Sequence, residues 1–278
     1  MAQIENNRKR KTQGWKNTSP LATIRCGQMN LQHSRAANAH LMKLIEQDNL
    51  DIIILQEPYL YKNRMAGLTK STRNYISTED KSRTAIIITN NKIDAVLIKQ
   101  LSNPDSVLIE LKYNNIRFFA ASLYFDITKQ IERDLDKIEG ILDYTKGNGL
   151  LIAVDSNSRS TTWHDSQTNK RGKILEEYMT SRNLHIMNEE SEQTTFHNRS
   201  GSSNIDLTVV NNQLLNVLKN WEISAEESCS DHNMIKYNLR QDTYHNTEYN
   251  YNGRRYIVKD ENLKKFDSNL RRIVSMNF

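Results

Sequence analysis

Polar residues able to do chemistry recur where strand-like runs end. Asn30 closes TIRCGQM, Glu57 follows DIIILQ, Tyr124 follows FFAASL, and Asp155 and Asn157 follow LLIAV. Asp206 lies inside SNIDLTVV, and Asp231 and His232 precede MIKYNL. A carboxylate such as Asp155 can take a proton from water, and a carboxamide such as Asn157 can donate to an anion. Placed two apart, the pair can point the same way from an extended backbone. Each residue also has a plainer reading. Asp155 and Asn157 taken alone favour an Asx turn closing a strand. Glu57 before Pro58 can cap a turn, and Asp231 can satisfy a loop amide. Asp206 resists such a reading, because a carboxylate flanked by Ile205 and Leu207 is expected to be partly buried and then needs a partner. His232 is the candidate partner.

Apolar periodicity supplies the elements that must carry these groups. Ala22 to Asn30 reads as a first strand. Ser34 is placed to cap a helix running to about Gln47, with Ala37, Leu41, Leu44 and Ile45 inward. Asp51 to Gln56 is a buried strand. Four strands follow at Thr84 to Thr89, Ile93 to Ile98, Val107 to Lys112 and Ile116 to Leu123. Asn90-Asn91 and Asn114-Asn115 are expected to be tight hairpins between them. Ile127 to Tyr144 has helical spacing, Leu150 to Val154 is too short for anything but a buried strand, and Arg171 to Arg182 is helical again. Shorter strands are expected at Leu184 to Met187, Thr194 to His197, Ile205 to Val210, Trp221 to Ala225 and Met234 to Leu239. This alternation predicts an α/β fold, a four-layer sandwich of two stacked, mixed, mainly antiparallel sheets with helices outside.

With 278 residues, 37% of them hydrophobic, the chain can bury one large core or two small ones. A net charge of +5 favours a polyanionic partner. Two cysteines, Cys26 and Cys229, make neither a zinc spacing nor a disulfide framework, so a reducing compartment is the simpler reading. No apolar run approaches membrane-spanning length. Residues 1–20 hold RKRK at Arg8 to Lys11 and read as a mobile basic arm, either a solvated tail or a segment for nuclear import or DNA contact. The globular domain is expected over 21–240. Residues 241–278, rich in Asn, Tyr, Arg and Lys, are expected to be an extension or linker.

The motifs in order are QMN at Gln28 to Asn30, LQEP at Leu55 to Pro58, VDSN at Val154 to Asn157, SNID at Ser203 to Asp206 and SDH at Ser230 to His232. Together they resemble the exonuclease-endonuclease-phosphatase superfamily, which includes abasic-site endonucleases and deoxyribonuclease I. The resemblance is greatest to the endonuclease domain of insect non-LTR retrotransposons, on NLQHSRAAN, DSNSRSTTWH and NKRGKILEEY. It implies a nuclear, magnesium-dependent endonuclease, with manganese as a possible substitute. The enzyme would nick double-stranded DNA to leave a 3′-hydroxyl that primes a reverse transcriptase in the same polyprotein. It also implies roles. Glu57 would be the principal metal ligand, with Asn30 in the metal-site network and Asp231 tuning it. Asp155 would deprotonate the attacking water. Asn157 and Tyr124 would grip the phosphate or the attacking oxygen. His232 would meet a non-bridging oxygen, oriented by Asp206.

One departure from the resembling repair enzymes stands out. They place an asparagine shortly after the tyrosine that Tyr124 matches, whereas Phe125, Asp126 and Ile127 follow here. That weakens phosphate contact from this loop and disfavours abasic-site repair. A phosphoinositide or sphingolipid phosphodiesterase is disfavoured by the basic arm and the lack of a docking apolar stretch. A DNA-binding module with an inactive site is weakened by the intact Glu57, Asp155, Asp206 and His232. Arg159, Lys170 and Arg171 can contact phosphates or simply face solvent. Trp163 and His164 can lie against DNA, Trp163 equally against the core. HNRSGSSN, from His197 to Asn204, is either an ordinary connection or a short hairpin offering Asn198 and Arg199 to base edges. The resemblance favours the hairpin.

Overall fold

The structure, a computed structural model, describes residues 23–240 apart from 69–71 and 115. The basic arm expected over 1–20 and the extension expected over 241–278 lie outside the described residues. The first unit is a strand, a crossover helix and a parallel strand: β1 (Thr23–Asn30), α1 (Arg35–Asp48) and β2 (Ile52–Gln56). Ser34 begins the helix as its side-chain chemistry predicts, accepting from the Ala37 N–H at 3.1 Å. Such a cap contributes about 1 kcal/mol. Asn49, left-handed at φ 52°, ends it. A small hairpin of β3 (Leu60–Tyr61) and β4 (Arg64–Met65) leads to β5 (Arg73–Ile76) and β6 (Thr84–Ile88), which pair antiparallel and continue the sheet from β2.

The second half repeats this plan. A meander of β7 (Asp94–Leu97), β8 (Ser106–Tyr113) and β9 (Ile116–Tyr124) is followed by α2 (Glu132–Thr145) and then β10 (Gly149–Asp155), parallel to β9. After α3 (Lys170–Ser181) come β11 (Leu184–Ile186), the hairpin β12 (Phe196–Asn198) and β13 (Gly201–Ser203), then β14 (Asp206–Asn211), β15 (Leu218–Ile223) and β16 (Ile235–Arg240). Two six-stranded sheets result, ordered β15-β16-β1-β2-β6-β5 and β11-β14-β10-β9-β8-β7. Each holds one parallel pair, β1 with β2 and β9 with β10, among antiparallel neighbours.

Strand alternation assigns the core layers. Leu151 and Ala153 of β10 face the inter-sheet core with Ile52 and Ile54 of β2. Leu150, Ile152 and Val154 face the other way, onto Ile138 and Ile141 of α2 and Leu175 of α3. Ile53 and Leu55 pack on Leu41, Leu44 and Ile45 of α1. Helix, sheet, sheet and helix therefore stack as four layers. The central strands are buried on both faces, which is why they read as unbroken apolar runs. Burying each such side chain contributes about 1.5–3 kcal/mol.

Two expectations change. Asn90-Asn91 is not a hairpin, because β6 and β7 belong to different sheets. Asn90 instead donates to Asp51 and accepts the Lys92 N–H, turning the chain across to Ile93 in the inter-sheet core. The helix expected from Ile127 begins only at Glu132, and Ile127 itself is exposed. Asp126 accepts both the backbone and the side chain of Thr128, a local turn that competes with helix. The sequence reading also passed over β5, whose RNYI lacks a clean alternation.

Candidate active site

The two parallel pairs end at the same place. In the first sheet Asn30 is in register with Gln56, so Asn30 and Glu57 leave adjacent strand ends. In the second, Asp155 is in register with both Tyr124 and Asp206. The sheets meet there, with Asn30 Nδ2 donating to Asp155 Oδ2 at 2.7 Å. Asn30 Oδ1 accepts the Gln32 N–H at 2.8 Å, which fixes the carboxamide's orientation. Glu57 and Asn157 both bend into the left-handed region, at φ 45° and 46°. Such a conformation costs on the order of 1–2 kcal/mol. At Glu57 it is held from both sides, its N–H bonded to the Arg83 carbonyl and its own carbonyl to the His33 N–H, each at 2.7 Å. The Asx turn after Asp155 is also present, since the Asn157 N–H reaches Asp155 Oδ1 at 3.2 Å. Asn157 Nδ2 donates to the Phe125 carbonyl at 3.0 Å.

Asp206 and His232 form the partnership that Asp206 required. His232 Nδ1 lies 2.8 Å from Asp206 Oδ2, with the side chains 4% and 2% exposed. The Thr195 hydroxyl accepts the N–H groups of Ile205 and Asp206, and the Phe196 ring packs edge-on against His232 with centroids 4.9 Å apart. Burial alone would lower the imidazole pKa. The Asp206 charge and hydrogen bond, with Asp155 and Glu57 behind them, override it and raise His232 to about 9. Burial and then the Asp206 charge push Asp155 up to about 7, against the opposing pull of His232 and Asn30. Tyr124 is held well above the usual phenol range by burial, with the Glu57 and Asp155 charges adding. It is therefore a donor at neutral pH.

The donor set suits a hard cation. Ligand atoms of Asp155, Asp206 and His232 lie within 4.8 Å of one another, and Asp206 Oδ1 is buried with no hydrogen-bond partner among the described residues. Glu57 and Asp231 stand outside that group of three. Glu57 lies with His33 Nε2 3.6 Å from its Oε1, and Asp231 is held by its N–H on Gln32 Oε1 at 2.9 Å. His232, held protonated by Asp206, has no lone pair for a cation, which leaves the carboxylates of Asp155, Asp206, Glu57 and Asp231 as the oxygen donors that magnesium or manganese prefers.

Residues 118–236, carrying the Tyr124, Asp155, Asp206 and His232 positions, match the model of a family described as endonuclease-reverse transcriptase. The whole fold matches the endonuclease domain of TRAS1, a telomere-specific non-LTR retrotransposon. The TM-score is 0.71 and the identity 25%, over 79% of this chain and 99% of that one. In fold and over residues 118–236 the chain is thus similar to the endonuclease domains of retrotransposons. The AP endonuclease LMAP from Leishmania major shares the fold, with TM-score 0.65, 12% identity and coverage of 79% and 88%. Over 217 residues, 75% of this chain, the sequence is 25% identical to a putative 115 kDa protein of the type-1 retrotransposable element R1DM of Drosophila melanogaster. Over 192 residues, 65% of this chain, it is 25% identical to the Pol polyprotein of the R1 element of Bradysia coprophila. The match spans about a fifth of each of these relatives, 21% and 19%.

Around these strand ends, the surface residues divide. Asn198 and Arg199 sit exposed at the tip of the β12–β13 hairpin, where Asn198 Oδ1 accepts the Ser200 N–H and Gly201, at φ 146°, makes the turn. The hairpin grows out of the wall that carries His232: Phe196 bridges to His232, and the His197 N–H bonds the Asp231 carbonyl. Arg159 and Arg171, which the sequence leaves between phosphate contact and solvent, make internal ion pairs. Arg159 Nε bonds Asp165 at 2.8 Å and its Nη2 reaches Ser202 O, while Arg171 bonds Lys129 O and lies 3.9 Å from Asp134. Asp165 and Asp134 are buried to 0% and 1% side-chain exposure, and buried carboxylates require such partners. Trp163 is fully buried, its Nε1–H on Asn204 O at 2.9 Å, and belongs to the core.

Two glutamines inside the QMN and LQEP motifs, to which the sequence assigns no role, set this geometry. Gln28 Nε2 crosses to Leu207 O on the other sheet at 3.2 Å, and its Oε1 accepts from Thr208. Gln56 Nε2 crosses to Ala153 O at 3.0 Å. Each strut ends within two residues of Asp155 or Asp206. The signal available was a glutamine at an inward position of a strand otherwise buried and apolar.

Proposed function

We propose that this chain is the divalent-metal-dependent DNA endonuclease domain of a retrotransposon polyprotein. It nicks one strand of duplex DNA and leaves a 3′-hydroxyl for target-primed reverse transcription by a reverse transcriptase of the same polyprotein. The observation that carries the reading is the meeting of Asn30–Asp155 and Asp206–His232 where both parallel strand pairs end. Glu57, with Asn30 and Asp231 beside it, would hold a magnesium or manganese ion, which when bound neutralises charge on the phosphate. Asp155, oriented by Asn30, takes the proton of the attacking water. His232, kept protonated by Asp206, donates to a non-bridging phosphate oxygen as negative charge builds there. Tyr124 and the second N–H of the Asn157 carboxamide add neutral donors on the same side. Asn198 and Arg199 reach into a groove of the duplex and contribute to choice of site.

Supercoiled plasmid tests this reading. The chain should convert it to open circles in magnesium and not in EDTA, and a polymerase should extend the nicked ends without prior phosphatase treatment. Open circles whose ends need repair before extension, or nicking indifferent to EDTA, would contradict it. Intact duplex should be cut at least as well as duplex bearing an abasic site. A strong preference for the abasic duplex would point to repair instead.

A further inference from the structure

Arg83 touches both halves of the site and has no part in the reading above. Its carbonyl accepts the Glu57 N–H at 2.7 Å, which fixes the left-handed turn presenting that carboxylate. Its guanidinium carbon lies 4.5 Å from the centroid of the Tyr124 ring. The guanidinium is clamped in turn, Nε on Asp105 at 2.6 Å and Nη1 on Asp126 at 2.9 Å. Lys129 supports both carboxylates, at 3.5 and 3.6 Å. The strand end is tied in as well, since the Tyr124 N–H bonds the Asp105 carbonyl and the Arg83 N–H bonds the Pro104 carbonyl. Asp126, which belongs to the FDI loop directly after Tyr124, thus serves as an anchor for Arg83. A planar, permanently charged group suits this task, because it can hold two carboxylates in its plane and lie over an aromatic face.

We propose that Arg83 is a positioning residue for phosphodiester cleavage, fixing the Tyr124 phenol against the Glu57 strand end through the Asp105–Arg83–Asp126 clamp. The proposal rests on the nuclease reading, and specifically on Tyr124 acting on the reacting phosphate. Misplacing such a donor by an ångström costs up to about a hundredfold in rate.

The test is a double-mutant cycle in single-turnover nicking of a duplex, with saturating protein and magnesium, using Arg83→Gln, Tyr124→Phe and the pair. Arg83→Gln should slow the chemical step by about tenfold to a hundredfold while duplex affinity changes by less than about twofold. Arg83→Lys, which keeps the charge but not the planar fork, should recover only part of the rate. The double variant should fall within about threefold of the slower single variant, because Arg83 acts through Tyr124. Asp126→Asn, which releases one side of the clamp, should slow nicking in the Tyr124 parent and have little effect in Tyr124→Phe. It carries the same cycle should Arg83→Gln not fold. Multiplicative losses, a loss confined to affinity, or nicking at the parent rate by Arg83→Gln would overturn the proposal. Tyr124→Phe nicking at the parent rate would overturn it at its first step, whereas failure of the nuclease reading itself would show as no nicking by the parent chain.

Discussion

Asn30 of β1 and Asp155 of β10 belong to different sheets, and the 2.7 Å bond from Asn30 Nδ2 to Asp155 Oδ2 closes the sandwich at the end that holds the candidate site. Both groups are buried, so the contact depends on one being an uncharged donor and the other an acceptor. Asn30→Asp keeps the shape and reverses the electrostatics. The variant should lose about 2–4 kcal/mol of stability at pH 8, where two carboxylates face each other. It should regain much of that near pH 5, where the pair can share a proton. Urea unfolding in EDTA at the two pH values measures this, and equal losses at both would show that the contact is not electrostatic.

Asp155 itself should weaken the metal-free fold. Its carboxyl is raised to about 7 in the folded chain against the ordinary 3.8, so the folded state binds that proton more tightly than the unfolded one. Its contribution therefore declines as pH rises from about 4 to about 7, and stays at its lowest above that. Asp155→Asn, which can still accept from Asn30, should be more stable than the parent at pH 8 in EDTA, by roughly 1–3 kcal/mol. Equal unfolding midpoints would contradict the burial cost assigned to this carboxylate.

The His232 shift has the opposite consequence. A histidine raised to about 9 from 6.5 stabilises fully below about pH 6.5 and loses that contribution as pH climbs through about 9. The metal-free parent should thus become less heat-stable across that interval. Asp206→Asn should start less stable and show a flatter decline. With chemistry rate-limiting, the alkaline limb of its nicking profile should also move to lower pH. Parallel stability curves for parent and variant would separate His232 from Asp206.

Much of this could be read from the chain, and the reasons are local. LLIAV and DIIILQ are buried on both faces, so they show as apolar runs, and Ser34 caps α1 within three residues of its own position. Asn30, Glu57, Tyr124 and Asp155 were visible because each stands at the end of such a run. The pairing of Asp206 with His232 followed from the cost of burying a carboxylate alone. Distant partners were not readable. Nothing near Asn90 says that β7 joins the other sheet, and nothing near Arg159 says that Asp165 and Ser202 will draw it inward. Arg83 lies outside every motif, and its importance comes from residues 22 and 43 positions away.

Target choice should travel with the β12–β13 hairpin. Asn198 and Arg199 are exposed at its tip, while its base is fixed by Phe196 against His232 and by Arg159 against Ser202. Replacing 197–203 with the loop of a relative that cuts elsewhere should redistribute nick positions on a mixed genomic library and leave general plasmid nicking within about threefold. An unchanged distribution would move specificity to the loops after Glu57 or Asn157.

Glu57 and Asp155 decide whether the meeting strand ends are a hydrolytic centre. Single-turnover nicking and duplex binding should be measured together for the parent, Glu57→Gln and Asp155→Asn in magnesium. Both variants should lose at least about a thousandfold in nicking rate, the scale of removing one member of a catalytic set, while binding the duplex within a few-fold of the parent because affinity comes from phosphate contacts elsewhere. Either variant nicking at close to the parent rate would contradict the site assigned here.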